Sequence, residues 1–331
     1  LTQTVSVSQV IGLLEYLQTK GVSSDTLFAN LPLSKQVLEE RQNRITVDDW
    51  MQMFSRAQDL VGDPHLGMHL GQEVKPGSFG LLGYLAMNCP DLRAVMERIP
   101  RLGRLVGETG RVEMIDHGEV TELRWVADMD PYPHQLAIWN MMAWLRFGSW
   151  IAARDITAEE IWLVGEPEVD MEGLEKFTGA TVHFNKPFAA LLLSSEVLSF
   201  PVLQADEELR RMLDEQAQRQ LREINGSLEF TRFVENALLD GLKNGEAGLP
   251  TLAKRLGMSP RSLQRRLREM GSSYQEALDE TRRNLAMEYI RDSRLSLLEI
   301  SQQLGFAEQS SFNRAFRRWT GDTPSNYRWR R

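Results

Sequence analysis

Arginine carries a planar fork of donors that can grip two acceptors at once, and glutamine offers a donor beside an acceptor. In this chain such side chains gather in two short segments, RSLQRRLREM at 261–270 and QSSFNRAFRRW at 309–319. Each segment follows a matching hexapeptide, LAKRLG at 252–257 and ISQQLG at 300–305, offset by 48 positions. A short helix, a glycine-marked turn and a second helix bearing arginines form the pattern of a helix-turn-helix, whose second helix enters the major groove of DNA. Two copies in tandem imply a module that reads two stretches of duplex.

The elements that must position these side chains are legible around them. In the first copy Thr251 is expected to cap a helix ending at Leu256, and Gly257 to supply the left-handed turn. Ser259 then caps the second helix and Pro260 takes its first position, where a missing N–H costs nothing. Leu263 and Leu267, four apart, face inward and leave Arg261, Gln264, Arg265 and Arg268 on exposed faces. In the second copy Ser296 and Glu299 have the spacing of a capping box and Gly305 makes the turn. Phe312 and Phe316 take the inward places at an offset of 49, and Arg314 and Arg317 match Arg265 and Arg268. Between the copies Ser273 and Glu276 cap a helix expected over 274–292, about 28 Å long. That length approaches the roughly 34 Å between successive major grooves on one face of B-DNA.

Charge separates the chain into unlike parts. The net charge of −8 speaks against nucleic acid when taken whole. Residues 250–331, however, hold 16 basic and 9 acidic side chains, net +7, while the remaining 249 residues hold 22 and 37, net −15. A basic module meets phosphates, and an acidic partner domain discourages unspecific adhesion. At 331 residues the length suits two ordinary domains, and 42% hydrophobic with 25% charged residues is the composition of a soluble globular protein. The longest apolar runs, such as Phe188 to Leu193, are far too short to span a bilayer, and no signal peptide opens the chain. Leu1 stands where Met would, which implies a short missing piece, and a lone Cys89 fits a reducing cytoplasm.

The N-terminal part reads as mixed α and β. Val10, Leu13, Leu14 and Leu17, then Met53, Ala57 and Leu60, recur at helical spacing, so the first 70 residues are expected to be helical, with Thr46 and Asp49 opening the second helix. Residues 71–83, with four glycines and Pro76, are expected to form a loop or tight bends. RVEMIDHGEVTELRWV at 111–126 alternates around Asp116-His117-Gly118 as a hairpin, with further strands at 160–164 and 181–184 and helices at 134–153 and 170–178. Helical patterns resume at Asp206, are expected to break at Asn225-Gly226, and continue to Leu242 before a linker at 244–250. The expected division is a sensing and dimerising α+β domain at 1–205, a helical linker region at 206–249 and an all-α domain at 250–331.

LAKRLGMSPRSLQRRLRE and GFAEQSSFNRAFRRWTGDTPSNYR resemble the DNA-binding domain of the AraC/XylS family of bacterial transcription regulators, over about 230–330. The resemblance implies base-facing roles for Arg261, Gln264 and Arg265 in the first helix, and for Gln309, Ser310, Ser311 and Arg314 in the second. Arginine suits guanine O6/N7 and glutamine adenine N6/N7; Arg268, Arg317 and Arg318 are then expected on phosphate. ITVDDWMQMFSRAQDLVGDPHLGMHLGQEVKPGSFGLLGYLAMNCPDLRAVMERIPRLGRL and FTGATVHFNKPFAALLLSSEVLSFPV resemble the effector-binding domain of the subgroup that includes ornithine-responsive regulators, rather than a cupin. It implies a small-molecule effector, a homodimer, and contact with RNA polymerase should the regulator be an activator.

Other constellations are weak. His65 and His69 have metal-ligand spacing, but no carboxylate and third ligand complete a set, so they read as surface or packing residues with no metal or cofactor. GSFGLLG at 77–83 is a turn and not a phosphate cradle, no G-x-S-x-G occurs, and Cys89 lacks a histidine partner. The band holding Trp125, Tyr132, Trp139, Trp144 and Trp150 reads as aromatic core. Its functional alternative is an effector pocket built on Trp125, His134, Trp139 and Arg146, with His134 or Arg146 orienting an anion. Two other functions stay open: an enzyme domain tethered to DNA, and an architectural DNA binder without an effector.

Overall fold

The computed structural model describes residues 3–329 apart from 30, 32, 40–42, 128, 130, 167–170, 271 and 292–294. It resolves into two compact units, one ending at Arg222 and the other running from Glu223 onward.

In the first unit α1 (Val7–Thr19), α2 (Ser24–Phe28), α3 (Val47–Val61), α4 (Leu66–Gln72), α5 (Gly80–Met87), α6 (Leu92–Met96) and α7 (Ile99–Leu102) precede α8 (His134–Ala152) and α9 (Met171–Thr178). Strands β1 (Thr4–Ser6) and β2 (Arg44–Thr46) form an antiparallel ribbon that helical periodicity near them had hidden. The larger sheet has the order β3 (Arg111–Asp116), β4 (Val120–Val126), β7 (Ala189–Ser194), β5 (Glu160–Trp162), β6 (Thr181–His183). Strands β3 and β4 are the expected hairpin, with Leu123 of β4 opposite Leu191 and Trp125 opposite Ala189 of β7. Among the described strands only β5 and β6 run parallel, and α9 lies between them in the chain. A helix-flanked mixed sheet of this kind differs from the all-β barrel of a cupin.

Residues 188–193, noted in the sequence only as an apolar run, thus belong largely to the central strand β7, whose Ala189, Ala190, Leu191 and Leu193 are buried. A strand covered on both faces loses the polar alternation that would mark it. The glycine-rich stretch 71–83 is not all loop either. A short 3-10 turn at Pro76–Phe79 leads into α5, whose first residue Gly80 has φ +54°.

Two other glycines fix α8. A Cβ on Gly67 would lie 2.1 Å from the Gln135 carbonyl oxygen, and one on Gly71 would lie 2.5 Å from Met142 Cβ. One face of α4 therefore carries glycines so that the α8 backbone can approach, and Gln135 Oε1 accepts from the Gly67 N–H at 3.0 Å.

Helix α10 (Glu207–Lys243) passes without interruption through Asn225-Gly226, correcting the expected break there. Flanking turns outweigh the roughly 1 kcal/mol that a helical glycine costs relative to alanine. Its second half belongs to the C-terminal core: Phe230, Val234, Leu238 and Leu242 pack with buried residues of every later helical segment up to Phe316. That unit continues with α11 (Leu249–Arg255), α12 (Pro260–Glu269), α13 (Tyr274–Arg291), α14 (Leu297–Gln303), α15 (Gln309–Thr320) and α16 (Pro324–Trp329). Helix α13 ends one residue before Asp292, which lies outside the described residues, as does Asp170 before α9.

Candidate nucleic-acid interface

Each copy of the repeat folds as helix, turn and helix. In the first, α11 starts earlier than expected: Gly248 is its N-cap, Pro250 sits in the first turn and Thr251 lies inside the helix. Proline in the first turn forfeits no hydrogen bond and is preset for helical φ, so the start moves ahead of the threonine. Gly257 has φ +65°, and Ser259 Oγ then accepts from the Ser262 N–H at 3.1 Å to open α12. In the second copy Ser296 and Glu299 cap each other's backbone reciprocally and Gly305 has φ +69°.

The equivalences run deeper than sequence identity. Leu252 and Ala253 are buried as are Ile300 and Ser301, at the offset of 48. Leu263 and Leu267 are buried as are Phe312 and Phe316, at the offset of 49. The change of offset is one extra residue in the second turn, where Glu308 rather than a serine is the N-cap and makes no side-chain cap bond. The second core is filled by aromatics, with Phe312–Phe316 centroids 5.7 Å apart and Phe316–Tyr327 5.6 Å apart.

Against these cores, the solvent faces carry the polar side chains. Arg261, Gln264, Arg265 and Arg268 are exposed on α12. On α15 Ser310, Arg314, Arg317 and Arg318 are exposed, while Gln309 and Ser311 are half-buried. Several are held by neighbours: Arg314 Nη2 donates to Ser311 Oγ at 3.2 Å, Ser310 Oγ to Glu308 Oε2 at 3.0 Å, and Arg265 lies 3.6 Å from Glu269. Arg268 Nε donates to the Gln264 carbonyl at 3.4 Å, and Arg318 pairs with Asp279 of α13 at 2.7 Å. Arg266, between Arg265 and Arg268 in sequence, is exposed too, but its guanidinium lies over the Phe230 ring at 3.9 Å.

Sequence reasoning missed the residues that brace this surface. Arg282 on α13 donates to the carbonyls of Leu304 and Gly305, closing the end of α14, and stacks over Phe306 at 4.5 Å. Arg255 donates to Glu246 at 2.9 Å, and the Tyr274 hydroxyl donates to the Ala247 carbonyl. The capping box Ser273–Glu276 forms as expected. What the arrangement offers is a pair of rigidly supported helices whose outward faces bear forked donors and amides, the groups that grip phosphates and base edges.

Residues 252–330 match a helix-turn-helix domain family, and residues 21–202 match the arabinose-binding domain of AraC transcription regulator, N-terminal. The chain belongs to the AraC family of transcription regulators. It is 29% identical over 329 residues to the ornithine utilization regulator of Pseudomonas aeruginosa, covering 98% of this chain and 96% of that protein. It is 28% identical over 279 residues to the HTH-type transcriptional regulator VirS of Mycobacterium tuberculosis, covering 80% and 78%. The crystal structure of the regulator CdpR from Pseudomonas aeruginosa aligns over 97% of this chain and 98% of its own, at 20% identity and a TM-score of 0.45. As an AraC-family member the protein is a DNA-binding transcription regulator with an N-terminal domain of the effector-binding type.

The residues expected to form an effector pocket in that domain are not brought together. Trp125 is buried and borders a large cavity. His134 borders a separate crevice of about 10 Å³ beside Tyr132, whose phenol burial pushes up to about 12. Trp139 sits in the core with its ring 6.3 Å from Trp50, and Arg146 is exposed on α8, outside both spaces. His69 Nδ1 lies 2.7 Å from Asp63 Oδ2, and among the described residues no group of three metal-ligating side chains assembles. Cys89 is buried, and desolvation lifts its thiol to about 11. No described helix is long and apolar enough to cross a membrane.

Proposed function

We propose that this regulator binds double-stranded DNA through α12 and α15, under the control of a small-molecule effector held in the N-terminal domain. The domain limits in this reading are 1–205 for sensing and dimerisation, 206–249 for the connecting helical region and 250–331 for DNA binding. Arg261, Gln264 and Arg265 read bases in one major groove, and Gln309, Ser310, Ser311 and Arg314 read them in the next. Arg268, Arg317 and Arg318 hold phosphate, Arg318 by exchanging Asp279 for the backbone of the duplex. The observation that carries the reading is the repeated burial pattern, which turns these side chains outward on both helices at once. An 18-residue α13, about 27 Å long, supports entry into successive grooves.

The protein acts in the cytoplasm as a homodimer and catalyses no reaction; as an activator it would also touch RNA polymerase. Exposed apolar side chains of the first unit support self-association: Trp150 and Leu203, whose segments join through the Leu203 N–H to Ile151 carbonyl bond, and Leu209 with Met212 on α10. Effector binding shifts the balance between two arrangements of the dimer by its differential affinity for them. Footprinting on the DNA upstream of its own coding region tests the reading. Protection of paired segments, each covering two major grooves, is the expected result; uniform coating without boundaries would favour an architectural binder.

A further inference from the structure

The N-terminal unit holds a cavity of about 400 Å³ bordered by α1, α5, α7, α8 and the β3–β4 hairpin. Its size lies in the range of about 300–1,000 Å³ usual for small-molecule sites. Its walls are mainly apolar, with Phe79, Leu82, Val106, Trp125, Trp144 and Phe147 among them.

Of the amides in this lining, two carry buried atoms without a partner. Gln9 on α1 is only 7% exposed, and its Oε1 has no hydrogen-bond partner. Asn140 on α8 has a buried Nδ2 with none. Both residues border the same cavity. Buried polar atoms are almost always satisfied, so an unpartnered acceptor and an unpartnered donor on two residues that border one apolar space point to a partner reached from that space by small side-chain rotations. A hydroxyl or carboxamide both donates and accepts, so it satisfies the two amides whichever way either is turned.

The charged groups at the cavity are already engaged. Glu108, 9% exposed, accepts from Arg104 Nη2 at 2.8 Å, from the Thr4 N–H at 3.1 Å and from the Thr4 hydroxyl at 3.0 Å, with Arg44 at 4.0 Å. Arg111 pairs with Glu113 at 2.8 Å. A cationic or anionic ligand would have to displace these pairs while losing its own hydration, whereas a neutral one would not.

We propose that this cavity binds a neutral, largely apolar small molecule whose hydroxyl or carboxamide head is held between Gln9 and Asn140. The proposal rests on the effector-controlled reading above and gives that effector a place and a chemical class.

The full chain is titrated with octanamide, 1-octanol, octanoate and ornithine, following the melting temperature and tryptophan fluorescence. Octanamide and octanol are expected to bind saturably and raise the melting temperature, with octanoate and ornithine at least about ten-fold weaker. Val112→Trp, which fills the cavity from β3, is expected to abolish binding while circular dichroism and DNA affinity stay unchanged. Gln9→Leu and Asn140→Leu are each expected to weaken octanamide by about ten-fold, the worth of one hydrogen bond, yet to raise the melting temperature of the free protein. A merely structural role for these amides would lower that temperature instead. Absence of a saturable response to both neutral probes overturns the proposal, and so does binding that Val112→Trp leaves intact. If only ornithine or octanoate binds, effector control survives and this site and ligand class fall. If the neutral probes bind as expected but leave DNA affinity and dimerisation unchanged at saturation, the site stands and effector control through it fails.

Discussion

Arg282 on α13 donates its Nε–H to the Leu304 carbonyl at 2.8 Å, and thereby ties the spacer helix to the turn of the second helix-turn-helix. The same guanidinium reaches the Gly305 carbonyl at 2.9 Å. One side chain thus satisfies two carbonyls at the end of α14, where the helix has no further N–H to offer. Replacing Arg282 by alanine leaves both carbonyls short of a partner and is expected to cost about 1–3 kcal/mol of stability, read by urea denaturation. Lysine is a point donor and not a fork, so Arg282→Lys should recover only part of the loss. Affinity for a site spanning two grooves should fall more than affinity for a half-site, because the brace sets α15 and not α12.

Arg318 and Asp279, 2.7 Å apart, make a second tie from α13, here to α15, and this one competes with DNA. In the free protein the carboxylate occupies the guanidinium proposed for phosphate. Asp279→Asn is therefore expected to strengthen binding on specific and unrelated sequences alike. The steepness of the salt dependence should rise by up to about one phosphate contact. Gel-shift titrations over a salt series check it; a gain confined to one sequence would move Arg318 to a base-reading role.

The close contact of α4 with α8 leaves no room for side chains at Gly67 and Gly71. Gly71→Ala places a methyl 2.5 Å from Met142 Cβ, an overlap that must push the helices apart. The expected destabilisation is about 1–3 kcal/mol, monitored by thermal unfolding. The helix-turn-helix unit has its own core, so the same variant should keep its affinity for DNA.

Glu122 on β4 is buried, and burial alone would raise its pKa. Hydrogen bonds from Arg124 and His117 outweigh that effect and hold the carboxyl below the ordinary glutamate value. A carboxyl with a depressed folded pKa adds stability above its unfolded value, about 4.3, and loses it as the pH falls through the folded value. Stability of the N-terminal unit should accordingly decline below about pH 4.3. Glu122→Gln should be less stable at neutral pH and show a flatter acid limb in denaturation curves recorded across pH.

The DNA-binding unit was legible because its signals are local. Capping residues, turn glycines and inward leucines or phenylalanines lie within a few positions of one another, and both copies repeat them. The N-terminal unit was legible only in part, because its features depend on distant pairing. Strand β7 is buried among Leu123 and its neighbours, so it shows no alternation, and β1 and β2 need each other across some forty residues. Aromatic density pointed to Trp139, which fills core, while the open cavity lies on the Trp144 and Phe147 side of α8. The usable signal was polar and not aromatic. Gln9 shares a helical stripe with the buried Leu13 and Tyr16, and Asn140 shares one with Trp144 and Phe147. An amide interrupting such a stripe marks either a buried hydrogen bond or a ligand contact, and only the structure shows that neither Gln9 Oε1 nor Asn140 Nδ2 bonds within the protein.

The equivalence of Arg265 and Arg314 permits the most direct test of recognition. Both stand on the outward face two positions after the first buried residue of their helix, Leu263 in one copy and Phe312 in the other. If each grips a base edge, Arg265→Ala and Arg314→Ala should each cost about 1–3 kcal/mol and relax preference at one position in a different half of the site. Arg268 and Arg317, proposed to hold phosphate, should behave differently. Their alanine variants should weaken all sequences alike and reduce the salt slope by about one contact each. Arg314 is steadied by Ser311, so Ser311→Ala should share part of its effect, and the double variant should cost less than the sum of the two. Selection of preferred sequences from a randomised pool, carried out for each variant, checks all of this. An unchanged preference in Arg265→Ala and Arg314→Ala would leave both arginines on the phosphate backbone.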